Sequence, residues 1–270
     1  MTGDLKPTTA AAHGRLWGNR SRDWADVQEG KVRPVYEAVM LRTGVKAGTR
    51  YLDVGCGAGM AARLAADRGA LVSGIDAAAP MLAIARERTP GGDFRHGDLE
   101  SLPFADAAFD VVTGFNAFQF AGNPGAALAE AGRVTRREGM IVVVTWGPPE
   151  GMPAASLVTA LRGLMPPPPP DAPGPFALSD EAALRRFATD AGLRPFEVFD
   201  VDSPFIYPDL DTAVRGLNSS GVAARAMEHA SEEAVTQAHR AALAPFRQPD
   251  GGYRIAAYFR CLLARPPSAA

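Results

Sequence analysis

Apolar and polar positions alternate in blocks along the first half of the chain, and the blocks end at glycines. Tyr51, Leu52 and Val54 follow a turn at Gly48-Thr49 and read as the end of a buried strand. The runs Ala70–Ile75, Asp93–His96, Phe109–Phe115 and Gly139–Trp146 predict four more strands, the last buried throughout. Between them, Ala61–Arg68, Ala77–Arg88 and Asn123–Arg137 predict helices, the second with Pro80 near its first turn. Lys31–Thr43 predicts an earlier helix, with Val35, Val39 and Leu41 as its apolar positions and Gly44 as its stop. The order β-α-β-α-β-β-α-β predicts a doubly wound parallel sheet with right-handed crossovers.

After Trp146 the rhythm breaks. Gly147–Gly174 contains Met165–Pro170 and Pro173–Pro175, which predict a stiff, extended linker. Ser179-Asp180-Glu181 caps a helix running to Ala191, and Gly192 ends it. Phe196–Val201 predicts a sixth strand and Tyr253–Leu263 a seventh, with a helical, alanine-rich lid over Tyr207–Ala244 between them. Met1 to about Arg15 is small and polar and predicts loose order. Trp17–Glu29 sets two tryptophans among charges; it reads either as a helix docking its aromatics or as a lid over a ligand. The expected divisions are an N-terminal helical cap (1–48), a ligand-binding core (49–150), linker, sixth strand and lid (151–251), and the final core strand (252–270). No internal repeat is present.

Chemistry concentrates at Asp53-Val54-Gly55-Cys56-Gly57-Ala58-Gly59, a strand end, a glycine turn and a helix start. Glycine leaves room for a ligand against the backbone, and a helix N-terminus offers unpaired N–H groups to an anionic group. Asp76 ends the next strand about 20 residues beyond, where an acid grips ribose hydroxyls. A dinucleotide loop would read G-x-G-x-x-G, but Met60 holds the third slot and the third glycine comes early, at Gly59. That counts against a NAD-dependent oxidoreductase. Asp98 follows the Asp93–His96 strand, at the end where open parallel sheets bind ligands. His96 itself reads as structural.

The pattern D-x-G-x-G-x-G, the downstream Asp76 and the segment Gly97-Asp98-Leu99-Glu100-Ser101-Leu102-Pro103-Phe104 resemble the class I S-adenosylmethionine (SAM) dependent methyltransferases. The likeness is closest to the small-molecule group of ubiquinone and menaquinone biosynthesis. It covers Tyr51–Trp146 and, more weakly, the whole chain. It implies a Rossmann-like α/β fold: a doubly wound seven-stranded sheet, the last strand antiparallel, with a helical lid insertion. It also implies SAM as cofactor and S-adenosylhomocysteine (SAH) as product. By resemblance, Gly55, Gly57 and Gly59 hold the methionine portion, with Asp53, Asp76, Ala77 and Asn116 among the cofactor residues. Asp98 would meet the adenine amino group, Leu99 and Met81 the ring, and Trp24 and Gln28 would close over from the N-terminal segment.

The acceptor is less legible. Phe115, Phe118, Phe120, Trp146 and Tyr207 read either as core filling or as an aromatic substrate wall. His229, His239, Tyr207 and Gln119 are the candidate general bases for a hydroxyl acceptor. No Asn/Asp-Pro-Pro-aromatic motif follows the fourth strand, which counts against exocyclic-amine methylation, and His13, His96, His229 and His239 show no zinc-type spacing, so no metal is expected. An alternative within the same fold is a cyclase or rearrangement enzyme that binds SAM without transferring its methyl.

Composition narrows the partners. The 270 residues are 47% hydrophobic with a formal net charge of −2, which gives no pull toward nucleic acid or anionic membrane. Cys56 and Cys261 are too few and too far apart for a disulfide framework, so a reducing cytoplasm is expected. No apolar run approaches the ~18 residues of a membrane span. The expected partner is a small, apolar or aromatic metabolite, as in secondary metabolism, handled by a monomer or homodimer.

Overall fold

The computed structural model describes residues 9–167 and 174–267. The looseness expected of residues 1–8 and the proline run at 168–170 lie outside the described residues. Seven strands form the main sheet in the order β3-β2-β1-β4-β5-β9-β6. They are β1 (Arg50–Val54), β2 (Leu71–Asp76), β3 (Asp93–His96), β4 (Phe109–Phe115), β5 (Thr135–Trp146), β6 (Arg194–Asp202) and β9 (Tyr258–Arg265). The first five pair in parallel, whereas β9 runs antiparallel to both β5 and β6. The chain winds outward from β1 on one side and from β4 on the other, so a crevice opens between their C-terminal ends.

Period-two alternation assigns the two faces. Ile141 and Val143 of β5 join Leu52, Val54 and Val112 in a cluster covered by helices α6 (Pro124–Val134) and α8 (Glu181–Asp190). Val142 and Val144 point the other way, onto Val35 and Val39 of α3 (Arg33–Thr43) and onto Cys261 and Leu263. Tyr51, Val72 and Val111 pack on α3 and α4 (Met60–Ala66), and α5 (Ala79–Arg88) completes that face. α6 ends at Val134, three residues before the predicted Arg137, because β5 already begins at Thr135. No described helix is long and apolar enough to cross a membrane.

Three expectations need correction. Thr9–Gly18 is a helix, α1: it buries Leu16, and its small residues let it dock closely. A side chain on Gly14 would meet the Ala77 carbonyl oxygen at 2.1 Å. Residues 147–167 are not a plain spacer, since α7 (Ala155–Thr159) follows and Met152, Ala154, Leu157 and Leu161 are buried. Tyr253–Leu263 is not one strand. β8 (Tyr253–Ile255) pairs with β7 (Phe205–Tyr207) in a separate hairpin, and the chain turns at Ala256-Ala257 before β9. The carbonyls at that break are satisfied by Ala154 N–H at 3.0 Å and Ser203 N–H at 2.8 Å, so it costs no buried hydrogen bond.

Between β7 and β8 lie α9 (Leu210–Asn218), α10 (Gly221–Met227) and α11 (Glu232–Leu243). They pack against the N-terminal segment, which consists of α1, a short turn α2 (Ser21–Asp23), a π-turn (Trp24–Gln28) and a 3₁₀ turn (Glu29–Val32). Cap and lid therefore meet each other above the sheet edge.

Candidate active site

The glycine loop divides its labour. All three glycines have positive φ, at 72°, 52° and 81° for Gly55, Gly57 and Gly59. A Cβ on Gly55 would sit 2.6 Å from Ala117 Cβ, and one on Gly59 would sit 2.7 Å from Ala85 Cβ, so those two serve close packing. Gly57 differs. A Cβ there would find Glu29 Oε1 and Trp24 Nε1 at 3.8 Å, leaving a cradle between loop and cap. Asp76 shapes the loop from β2: its Oδ2 accepts the Gly57 N–H at 2.8 Å and its Oδ1 accepts the Ala78 N–H at 2.8 Å.

Asp53 is buried at the end of β1, in register with Thr113 of β4. Thr113 Oγ1 donates to its Oδ1 at 3.1 Å, and Tyr51 Oη lies 2.7 Å from the same hydroxyl. Burial pushes the Asp53 carboxyl up to about 8, with the charges of Glu29 and Asp76 adding to it. Burial likewise raises Asp76, against the pull of its backbone donors.

A pair that the sequence did not reveal closes the loop. Glu29, 3% exposed, accepts the Met60 N–H at 3.2 Å and pairs with Arg88. α4 has no side-chain cap of its own, so a carboxylate 31 residues upstream in the cap supplies it. Arg88 also donates to the carbonyls of Ala58 at 3.0 Å and Ala25 at 2.8 Å, fastening cap to loop. An acid in a tryptophan-rich segment was the available signal; its partner on α5 had none.

The other expected cofactor residues, Gln28 excepted, lie around this loop. Trp24 stands beside Gly57, packed edge-on to Trp17 at 4.9 Å, and both cover buried Met81. Ala77 lies beneath α1, where His96 Nε2 reaches its carbonyl at 2.9 Å. Asp98 Oδ1 accepts the Glu100 N–H at 3.0 Å in the turn after β3, and Leu99 packs beneath Gly55. Asn116 leaves β4 at φ 49°, a left-handed conformation uncommon outside glycine, and its Oδ1 accepts from Gln119 at 3.0 Å. Gln28 is buried away from the cradle, accepting the Tyr207 hydroxyl at 2.7 Å and wedged against Gly216.

The five aromatics expected as an acceptor wall do not stand together. Phe118 is fully buried in the α6-side core, folded back so closely that a Cβ on Gly114 would meet its ring at 2.3 Å. Phe120 lies under α1, edge-on to Trp17 and His13. Phe115, Trp146 and Tyr207 do share one cluster: Phe115 meets Tyr36, Trp146 stacks on Phe259 at 4.7 Å, and Lys31 Nζ sits 4.6 Å over the Tyr207 ring. Of the candidate bases, His239 is buried, its Nδ1 2.6 Å from Asn218 Oδ1, and burial pushes it down to about 4. His229 is exposed on α10's trailing turn, and burial raises Tyr207. Among the described residues, no three acids, histidines or cysteines group as metal ligands would.

Residues 52–143, the strands and loops just described, match the methyltransferase domain family. Over these residues the chain is similar to class I SAM-dependent methyltransferases. The chain is 34% identical over 140 residues to malonyl-[acyl-carrier protein] O-methyltransferase of Serratia marcescens, covering 52% of this chain and 53% of that protein. It is 36% identical over 130 residues to demethylmenaquinone methyltransferase of Renibacterium salmoninarum, covering 48% and 55%. The chain thus spans about half the length of the curated relatives it matches. In fold it is similar to the crystal structure of the [4+2]-cyclase SpnF, with a TM-score of 0.55, 23% identity, and coverage of 87% and 81%. The cofactor of such a methyltransferase domain is SAM. The cradle over Gly57, the carboxylates beside it and the strained Asn116 are a donor and acceptor set that suits an amino-acid and ribose-bearing ligand.

Proposed function

We propose that this chain transfers a methyl group from SAM to a small, apolar or aromatic metabolite. The observation that carries it is the Gly57 cradle, open to a ligand at the C-terminal edge of the sheet and roofed by Trp24 and Glu29. In the proposed complex, Gly57 gives the ligand's methionine end its room and Asp76 accepts from ribose hydroxyls. Asp98 and Leu99 address the base, and Asn116 holds the start of the acceptor side. SAM supplies a methyl already activated on a sulfonium. The chain's task is to align the acceptor with that methyl and keep water out, and orientation accounts for about 7–11 kcal/mol of such barriers.

For the acceptor, half-buried Phe115 and Trp146 with half-buried Val32 support an apolar wall at the ends of β4 and β5, whereas Tyr207 is buried and bonded to Gln28. Phe118 is removed from that wall by its place in the core. His239 is engaged by Asn218, so its environment supports a packing role over base catalysis. An acceptor that is already nucleophilic fits this site best. The test is incubation with methyl-labelled SAM and small-molecule extracts, followed by mass spectrometry. Labelled product with equimolar SAH supports methyl transfer; product without SAH would favour the cyclase-like alternative.

A further inference from the structure

The N-terminal cap is joined to the rest of the molecule by two kinds of contact that differ in strength. Toward the sheet and the β7–β8 hairpin the contacts are buried. Glu29 pairs with Arg88, their side chains 4% and 23% exposed. The buried Tyr207 hydroxyl donates to Gln28 Oε1 at 2.7 Å, Lys31 Nζ donates to the Ile206 carbonyl at 2.5 Å, and Ser203 Oγ donates to the Lys31 carbonyl at 2.6 Å. Losing one partner of a buried ion pair shifts an equilibrium by roughly 10²- to 10³-fold.

Toward the outer edge of the lid the contacts are exposed and ionic. Arg15 of α1 pairs with Glu228 at the end of α10, Arg20 with Glu232 of α11 at 2.6 Å, and Asp23 of α2 with Arg215 of α9 at 3.3 Å. An exposed pair shifts an equilibrium only about 1.4- to 5-fold and is screened by salt. Glycines let the two sides approach along this seam. A Cβ on Gly221, the first residue of α10, would meet Trp17 Nε1 at 2.5 Å, and one on Gly216 of α9 would meet Gln28 Oε1 at 2.8 Å. The lid itself holds together. Asn218 of α9 donates to Thr236 Oγ1 of α11 at 3.0 Å, and Ala223 and Ala226 of α10 pack with Val235 of α11 and with Leu161.

Resting on the reading that methyl transfer takes place beneath this lid, we infer that α9–α11 is the leaf of a gate. Its inner edge, at Tyr207 and Gly216, is the hinge; its outer edge, latched to Arg15, Arg20 and Asp23, is the edge that opens. Trp17 is the positioning residue of the closed state. α10 seats on it at Gly221, and it packs edge-on to Trp24, which stands beside Gly57. A lid seated on Trp17 therefore registers the acceptor side against the Gly57 cradle, and an open one admits a ligand at the sheet edge. Weak, exposed latches suit a seam that parts and re-forms in each turnover.

The experiment is hydrogen exchange read by mass spectrometry on the full, ligand-free chain at about 0.05 M and about 0.5 M NaCl. Amides of α1, α10 and α11 should exchange about 3- to 10-fold faster at the higher salt, while those of β4 and β5 stay unchanged. Gly221→Ala should give the same pattern at low salt, because its methyl cannot be seated against Trp17. Arg20→Glu should also speed exchange in both cap and lid, and Arg20→Glu/Glu232→Arg should restore it. Salt-insensitive exchange in α10 and α11, or a charge swap that restores nothing, would overturn the gate. The wild-type salt series needs no variant, so a misfolded Gly221→Ala does not remove the test. Added SAM should slow exchange in α10 and α11 as well as in the glycine loop, and protection confined to the loop would also overturn the gate. No protection anywhere would mean that SAM does not bind, a failure of the cofactor reading; the salt series and the charge swap still decide the gate.

Discussion

Gly57 is the residue at which packing and the proposed ligand binding separate. Gly57→Val should leave a folded protein, destabilised by about 1–3 kcal/mol through its positive φ, that no longer binds SAM. Gly59→Val should instead fail in the melting curve, because its side chain would strike Ala85 between two helices. Asp53 gives the converse case. Its folded-state pKa of about 8 lies above the unfolded 3.8, so wild-type stability falls as pH rises between those values. Asp53→Asn removes that loss and should raise the melting temperature at pH 8 while weakening SAM binding about 10-fold or more. The glycines, Asp76 and Asp98 were legible because their spacing is local: strand end, turn, helix start. Glu29 and Arg88 were not, because a contact across 59 residues leaves no local period to read. Phe118 was misplaced for a related reason. Alternation at a strand exit cannot show that a 3₁₀ turn folds the ring back onto Gly114.

At the level of elements, α1 and the α9–α11 pair carry the testable consequences. Gly14→Leu cannot be seated against Ala77, so α1 should lift from the sheet edge. Limited proteolysis should then cut before Trp17, with a fall in SAM affinity and little change in the core's melting transition. Between α9 and α11, His239 is kept neutral by burial, with its pKa lowered from 6.5 to about 4. Above pH 6.5 that costs nothing; as pH falls from 6.5 toward 4 the unfolded chain takes up the proton first, and stability drops by up to about 3 kcal/mol. Urea midpoints measured from pH 7 to pH 4 should show this slope, and His239→Gln should flatten it. The strands of the parallel core were readable from their apolar runs. The broken seventh strand was not, since Tyr253–Leu263 is apolar enough to be continuous. Its division at Ala256-Ala257 is set by hydrogen bonds from Ala154 and Ser203, in segments remote in sequence.

Across the whole molecule, the cap and the helical lid meet above the sheet edge that bears the glycine loop. Arg88 is the bolt: it pairs with Glu29 and binds carbonyls of both cap and loop. Arg88→Met would strand a buried carboxylate and should cost about 3–5 kcal/mol, with the Glu29→Gln/Arg88→Met double variant recovering part of it. The central claim is that this edge is a SAM site, and the most direct measurement is calorimetric titration of the chain with SAM and with NAD, repeated on Asp76→Ala. SAM should bind in the micromolar range and NAD should give no heat. Asp76→Ala should lose about 10- to 100-fold in SAM affinity, because ribose and loop both lose their charged acceptor. Tight NAD binding, or an Asp76→Ala variant that binds SAM as well as the wild-type chain, would contradict it.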